Sequence, residues 1–294
     1  MVSENKLNKL NVYYTVDLED FTYDLCKNIG SLKIPQLRTD SLFESYRNIT
    51  KLLSMFKNTS SKITFFCTAV FAERYPDLVK LIVSDGHELA CHGNFHDSIS
   101  AMSKKEIIKS LNEAKDKLSN ISNVEIKGFR APMFSVDKMD YNRLEAISEV
   151  FRYDSSLHFV SKQDYQNWRK KCKVNINEFS VPHQPIVSSK FMVKTGGSYL
   201  KLFPASLVKS AIYKSIHNNI TPIIYFHPYD LYHGYKMLAS WYELKGSSNK
   251  FYWYLRQTQW AGAFNWLQEK KLISIFKEFN SLGRLDKKLL VNKT

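Results

Sequence analysis

Much of what narrows this chain is missing from it. The opening stretch "MVSENKLNKLNVYYTVDLED" has no apolar signal-peptide core. Nowhere does the chain offer the run of about 20 apolar residues that a membrane-spanning helix needs. The expected setting is therefore cytoplasmic, with peripheral contact at the inner membrane through surface charge. Cysteine is sparse: Cys26, Cys67, Cys91 and Cys172 stand far apart and form no CxxC pair. That argues against a disulfide framework and a structural zinc site, and for buried free thiols. Internal repeats and low-complexity linkers are absent. A nucleic-acid motif is absent too, although Lys plus Arg outnumber Asp plus Glu by 42 to 28, a net charge of +14. The basic residues form no tract; "SKKEIIKSLNEAKDK" and "LQEKKLISIFKEF" interleave acids with them, as solvated helix faces do. No specific nucleic-acid partner is expected. The charge suits a soluble surface and raises the local concentration of phosphate-bearing ligands.

What is present describes a folded α/β chain. With 294 residues, 44% hydrophobic and 14% aromatic, it can bury a sizeable core. Val12 to Val16 reads as a strand ending in acids. "SLFESYRNITKLLSMFK" places Leu42, Tyr46, Ile49, Leu53 and Phe56 on one helical face, with Ser41 and Glu44 in capping-box spacing. "KITFFCT" and "HELAC" read as strands around one helix running through "FAERYPDLVKLIVSDG". Ser103 and Glu106 open a further helix, with Ile107, Leu111, Ala114 and Leu118 on its inner face. "EIKGFRAP" is a strand, 138–150 a helix and "FRYDSS" a strand end. Short β-like pieces near Phe179 and Phe191, the flexible pair Gly196 and Gly197, and a helix near 205–217 follow. "PIIYFHPYDL" is the last strand and "AFNWLQEKKLISIFKEF" the last helix. Strands alternating with helices imply parallel strands and right-handed crossovers, in an open sheet or a deformed or incomplete (β/α) barrel.

In either architecture the C-terminal strand ends share one mouth. Asp17, Glu19 and Asp20, His92 and His96, Arg130, Asp154, and His227 all stand at such ends. Within "DGHELACHGNFHDS" the i, i+4 spacing of His92 and His96 would put two imidazoles side by side on one helical turn. Taken alone, such histidines can simply bond backbone groups. With a carboxylate beside them they make a common divalent-metal shell. A metal there would polarise a carbonyl, a second carboxylate would serve as base, and a histidine opposite would protonate a leaving group. His87, before the strand, is read as structural. His183 and His233 lie in loops, within reach of a substrate but more simply exposed. Tyr13, Tyr14, Phe65 and Phe66 are strand core. Trp168, Trp241, Trp253 and Trp260 fall in segments 160–175 and 228–262, read as irregular, where they would face sugar or cap the barrel.

The motifs "TVDLED", "HGNFH", "FRAPMF", "RYDSS" and "YFHPYD", in this order, resemble the polysaccharide deacetylases of carbohydrate esterase family four. The resemblance spans about residues 11 to 280 and is closest to a branch with an Asp-x-Glu-Asp first motif, which includes bacterial enzymes of exopolysaccharide and surface-glycan biosynthesis. It implies one catalytic domain over 1–294 with a deformed or incomplete (β/α) barrel and an irregular, aromatic-rich segment at about 228–262. It also implies one divalent metal, zinc before cobalt, nickel or manganese. Asp17 matches the general base, Arg130 the arginine that holds it, and His92 and His96 two metal ligands. His227 matches the general acid and Asp154 the acid that orients it. Pro132, Met133 and Phe134 match the oxyanion donor and groove wall. The third ligand departs from the commonest pattern: Glu19 falls on its position, with Asp20 as rival. The implied activity removes an N-acetyl or related N-acyl group from a saccharide; the missing export signal favours a biosynthetic intermediate, and the basic surface suits one that is lipid-linked or nucleotide-linked. The rival readings are an amidohydrolase acting on non-sugar amides and a degenerate homologue that binds glycan without turnover.

Overall fold

The computed structural model describes residues 10–20, 38–58, 61–186, 190–231, 239–246, 249–261 and 264–291, together with Tyr23, Leu25 and Lys27. Cys26, His233 and the ring of Trp260 lie outside the described residues.

The first strand fixes the architecture. In β1 (Leu10–Leu18) side chains alternate between two buried faces. Val12, Tyr14, Val16 and Leu18 join the large apolar cluster under the helices, whereas Tyr13 joins Phe66, Ala90, Tyr153, Ile223 and Tyr225 in a second, smaller one. Parallel to β1 on its two flanks run β2 (Thr64–Cys67) and β9 (Ile223–Phe226). The ladder continues in parallel through β3 (Glu88–Cys91), β4 (Gly128–Phe129), β5 (Tyr153–Asp154) and β6 (Asn177–Glu178). β10 (Phe279–Ser281) pairs with the start of β1.

The sheet is curled. Five strand spacings separate β1 from β6, roughly 24 Å if the sheet were flat. Yet the Tyr13 ring lies 6.3 Å from that of Phe179, just past β6. The smaller cluster is thus the barrel interior and the larger one the layer between sheet and helices. No described strand pairing closes β6 onto β9, so the fold is an incomplete (β/α) barrel. The gap is approached by an antiparallel hairpin, β7 (His183–Pro185) with β8 (Met192–Lys194). After β8, the Gly197 N–H donates to the Tyr225 carbonyl of β9 at 2.8 Å. A Cβ on Gly196 would fall 2.1 Å from that same oxygen. The glycine pair expected to be flexible is there for close approach.

Several helices follow the sequence and several do not. α1 spans Arg38–Asn58 and buries Ile49, Leu53 and Phe56, but it begins upstream of Ser41, which therefore does not cap it, and Tyr46 is exposed. The single helix expected over "FAERYPDLVKLIVSDG" is two, α2 (Ala69–Arg74) and α3 (Pro76–Ser84). Pro76 has no N–H to continue the first and suits the first turn of the second. α4 (Lys104–Ser122) has the expected capping box of Ser103 and Glu106. α5 (Tyr141–Val150) starts later than expected, at an Asp140 cap. Segments read as irregular hold α6 (Lys162–Lys171), capped by Ser161, and α9 (Lys250–Ala261). Trp168, on the inner face of α6, is buried and Trp241 is exposed. Between β8 and β9 lie α7 (Ser198–Leu202) and α8 (Ala205–His217); α10 (Asn265–Glu278) and α11 (Leu285–Val291) flank β10. Cys67, Cys91 and Cys172 are free and buried. Among the described residues no helix is long and apolar enough to cross a membrane.

Candidate active site

Register brings the chemistry to one rim. Asp17 pairs with Phe66, Cys67 with Cys91, Cys91 with Phe129, Phe129 with Asp154, and Val16 with Phe226. The residues just past these strands, His92, Arg130, Ser155 and His227, therefore emerge level with Asp17. They surround a cavity of about 190 Å³ lined by Asp17, Glu19, His92, His96, Phe134 and His227, among others.

Arg130 is wholly buried and its donors are spent within the protein. Nη1 donates to Asp17 Oδ1 at 2.6 Å and to Thr15 Oγ1 at 2.9 Å. Nη2 reaches Ser155 Oγ at 2.9 Å and Nε the Ser155 carbonyl at 3.2 Å. The guanidinium also lies 4.1 Å from the Phe66 ring centroid. Arg130 thereby holds the Asp17 carboxylate in place.

His92 and His96 are not on a helical turn. Segment 92–98 is a loop that reverses at Gly93 (φ +83°) and His96 (φ +57°), both left-handed. Loop geometry instead converges the two rings. The His92 Nδ1–H donates to the Arg130 carbonyl at 2.8 Å, turning its buried Nε2 inward with no hydrogen bond of regular geometry. Glu19 Oε1 lies 3.4 Å from His92 Nε2, 3.1 Å from His96 Nε2 and 3.4 Å from His227 Nε2. Donors around a tetrahedral zinc, each about 2.0–2.2 Å from the ion, stand roughly 3.4 Å apart. An inward-turned, unsatisfied imidazole and this spacing fit a divalent metal. Two donor sets, Glu19 with His92 and His96, and Asp17 with Glu19 and His227, each lie within 4.8 Å.

Strand alternation separates Glu19 from its rival. Asp17 and Glu19 continue the inner face of β1, whereas Asp20 turns outward. There Asp20 bonds Arg74, the Tyr75 hydroxyl at 3.4 Å and the Tyr23 N–H at 3.1 Å. Asp20 is a structural anchor and stands apart from both donor sets.

The acid expected to orient His227 is also displaced. Tyr153 and Ser155 face the barrel interior, so Asp154 between them points the other way. Its Oδ1 accepts from Ser156 Oγ at 2.5 Å, and it faces Glu178 in a buried pair. Burial raises both carboxyls, and the like charge of Asp154 drives Glu178 further up. Asp230, three residues beyond His227 in the 3₁₀ turn Pro228–Leu231, takes the orienting place. Its Oδ2 lies 3.2 Å from His227 Nδ1 and accepts the His227 N–H at 3.0 Å; Lys201 Nζ is 3.8 Å from Oδ1. Burial works against ionisation here, but His227 and Lys201 hold Asp230 below the usual carboxylate range. Burial also opposes the imidazolium of His227, yet Glu19 and Asp230 outweigh it and push its pKa up to about 10. Glu19 is held well below the ordinary range, burial being overcome by His96 and His227. Tyr229 was not singled out in the sequence; its ring stacks on His227 at 4.6 Å and its hydroxyl donates to Glu19 Oε2 at 3.3 Å. The "HPYD" turn was the available signal for both residues.

Pro132 opens a tight turn and is buried beside Gly93, while Met133 and Phe134 line the cavity from left-handed backbone (φ 56° and 54°). The Phe134 N–H is spent on the Ala131 carbonyl at 3.0 Å. That leaves Met133 as the turn's candidate donor to an oxyanion. His87 is structural as expected, accepting the Ile63 N–H at 3.1 Å.

Comparison with known proteins relates parts of the chain to described families. Residues 42–146 match the family model of polysaccharide deacetylases. That segment is a polysaccharide deacetylase domain. Residues 155–268 match a second model, described as a domain of unknown function, DUF3473. The chain is 27% identical over 146 residues to the peptidoglycan deacetylase of Helicobacter pylori, covering 50% of this chain and 49% of that protein. It is 27% identical over 82 residues to the peptidoglycan-N-acetylglucosamine deacetylase of Bacillus cereus, 28% of this chain and 30% of that one. The chain thus spans about half, or less, of the length of these relatives. Among solved structures it is similar to a family 4 pseudoenzyme of Bacillus anthracis (12% identity, TM-score 0.48, 95% of this chain and 65% of that). A family 4 carbohydrate esterase of Streptomyces lividans, solved with acetate, gives 12% identity and a TM-score of 0.43 over 90% of each chain. At those scores the likeness adds nothing to the topology already described.

Proposed function

We propose that this protein is a metal-dependent hydrolase that removes an N-acetyl or related N-acyl group from a saccharide. The observation that carries the reading is the meeting of three imidazole Nε2 atoms, at 3.1–3.4 Å, on one oxygen of Glu19 beside an Arg130-clamped Asp17. Glu19, His92 and His96 would hold the metal, zinc before cobalt, nickel or manganese. Once bound, it would polarise the acetamide carbonyl as a Lewis acid.

The chain's own residues supply the remainder. Asp17, fixed by Arg130, takes the proton of the water that attacks the acyl carbon. The Met133 N–H donates to the oxygen that gains charge. His227, oriented by Asp230 and stacked on Tyr229, gives its proton to the amide nitrogen as the C–N bond breaks. Acetate and a free amine result. The substrate proposed is a biosynthetic saccharide intermediate bearing phosphate, lipid-linked or nucleotide-linked, met in the cytoplasm or at the inner membrane surface. The net charge of +14 supports that choice.

Acetate release from N-acetylated saccharides, before and after chelation, tests the reading. Chelation is expected to abolish release and added zinc to restore it. Release that survives complete metal removal would exclude the metal from the reaction. No release from any N-acetylated saccharide, with metal present, would overturn the activity itself.

A further inference from the structure

Beside the catalytic cavity lies a lysine whose charge the protein leaves unbalanced. Antiparallel pairing in β7–β8 sets His183 opposite Lys194 and Gln184 opposite Val193. Gln184 and Val193 are fully buried, so His183 and Lys194 share the other, half-buried face. That face turns to Phe134. Lys194 Nζ sits 4.7 Å from the centre of the Phe134 ring, and the His158 ring is 4.7 Å from Phe134 and 5.8 Å from His183. Phe134 lines the cavity that holds Asp17, His92 and His227. The patch therefore begins where the catalytic cavity ends.

Other lysines withdrawn from water in this protein are matched. Lys201 faces Asp230, and Lys209 reaches Glu278 at 2.5 Å. Lys271 bonds the carbonyls of Leu200, Lys201 and Phe203. Among the described residues Lys194 meets a phenyl face and two histidines, and no carboxylate. Burial alone lowers its pKa, with no carboxylate to offset it. The other cations that act on the two histidines are committed, Arg130 to Asp17 and Lys138 to Asp164. A cation–π contact returns less than the cost of desolvating an ammonium with no counter-charge. The histidines add acceptors. His158 Nδ1–H donates to the Val181 carbonyl at 2.8 Å, so its Nε2 carries a lone pair; that atom and His183 Nε2 are buried without a partner.

We infer that Lys194, with Phe134, His158 and His183, forms a subsite for an anionic group, a carboxylate or a phosphate, carried by the saccharide next to its acylated sugar. The inference rests on the proposed deacetylase reading, which supplies the neighbouring sugar. The ammonium takes the anion at the edge of the catalytic cavity, while Phe134, His158 and His183 hold the lysine there without neutralising it.

Calorimetric affinity and acetate release are measured with three probes: neutral diacetylchitobiose, a disaccharide of N-acetylglucosamine and a uronic acid, and N-acetylglucosamine 1-phosphate. Wild type is expected to bind at least one anionic probe about tenfold more tightly than the neutral one. The uronic and phosphate arms show which source of charge is used. Lys194→Met removes that preference and Lys194→Arg keeps it, while Lys105→Met, on an exposed helix face, leaves it intact. Equal affinity for neutral and anionic probes, binding of none, or a preference that survives Lys194→Met would overturn the subsite. Lysine-dependent binding without acetate release from any probe would instead sink the deacetylase reading and leave the subsite standing.

Discussion

Two buried glutamates sit at opposite ends of the same parallel sheet, and their surroundings drive their protons in opposite directions. Glu19, at the mouth, stands among three imidazoles and is held well below the ordinary carboxylate range, burial being overcome by His96 and His227. Glu88, at the start of β3, sits at the base. It accepts from Thr64 Oγ1 at 2.6 Å, the Tyr153 hydroxyl at 2.8 Å and the Asp286 N–H at 3.1 Å. Burial and the charge of Asp286 nevertheless raise its pKa to about 7.

The difference lies in what each cluster leaves undone. At the base, hydroxyls and a backbone N–H satisfy the carboxyl, and Leu285 and Asp286 of α11 close over it. At the mouth, His92 Nε2 is buried without a hydrogen bond, and a cavity opens beside it. A native fold tolerates few such atoms without a functional return. A buried glutamate at a strand end is therefore not in itself a signal; the satisfaction of its neighbours separates a seal from a site.

Breaking the mouth should have the largest effect. His92→Ala or Glu19→Gln is expected to remove metal binding and hydrolysis together, read as metal content and acetate release. Asp17→Asn should keep the metal yet lower kcat by about 10²–10⁴-fold, the usual contribution of a positioned base. An Asp17→Asn enzyme with near-normal kcat would remove Asp17 from the role of base.

These mouth residues were legible in the sequence because each stands just past a recognisable apolar strand, and parallel strands bring such ends level. Glu19 over Asp20 was legible as well: Asp17 and Glu19 are two apart and share a strand face. The same alternation would have excluded Asp154, which lies between Tyr153 and Ser155. Analogy by motif order assigned it the orienting role, and motif order carries no side-chain direction. The helical turn expected for His92 and His96 failed for a local reason, since Gly93 and His96 both adopt left-handed backbone that no helix continues. Lys194 was not legible at all. A lysine on a short strand announces nothing until the fold shows that no carboxylate among the described residues meets it.

The displaced acid gives the next smaller test. Asp230→Asn should misorient His227 and lower kcat by about 10–100-fold with little change in KM, as loss of an orienting hydrogen bond does. Asp154→Asn should leave kcat within a few-fold, because Asp154 faces Glu178 and not His227. Conservative Asp230→Glu should recover part of the loss. Equal losses in kcat for Asp154→Asn and Asp230→Asn would return Asp154 to the site.

The smallest effect falls at the base and concerns stability alone. A carboxyl whose folded pKa of about 7 exceeds its ordinary 4.5 binds its proton more tightly in the folded state. Its contribution to stability is present at pH below 4.5 and is lost as pH rises through about 7, a change of roughly 3 kcal/mol. Glu88→Gln carries no titrating proton, so urea midpoints at pH 5 and pH 7.5 should differ less for the variant than for wild type. Acetate release measured at one pH should stay the same, since the base touches no residue of the cavity. If Glu88→Gln kept the wild-type slope, the proton would not be held at Glu88, and the contrast with Glu19 would have to be drawn from hydrogen bonding alone.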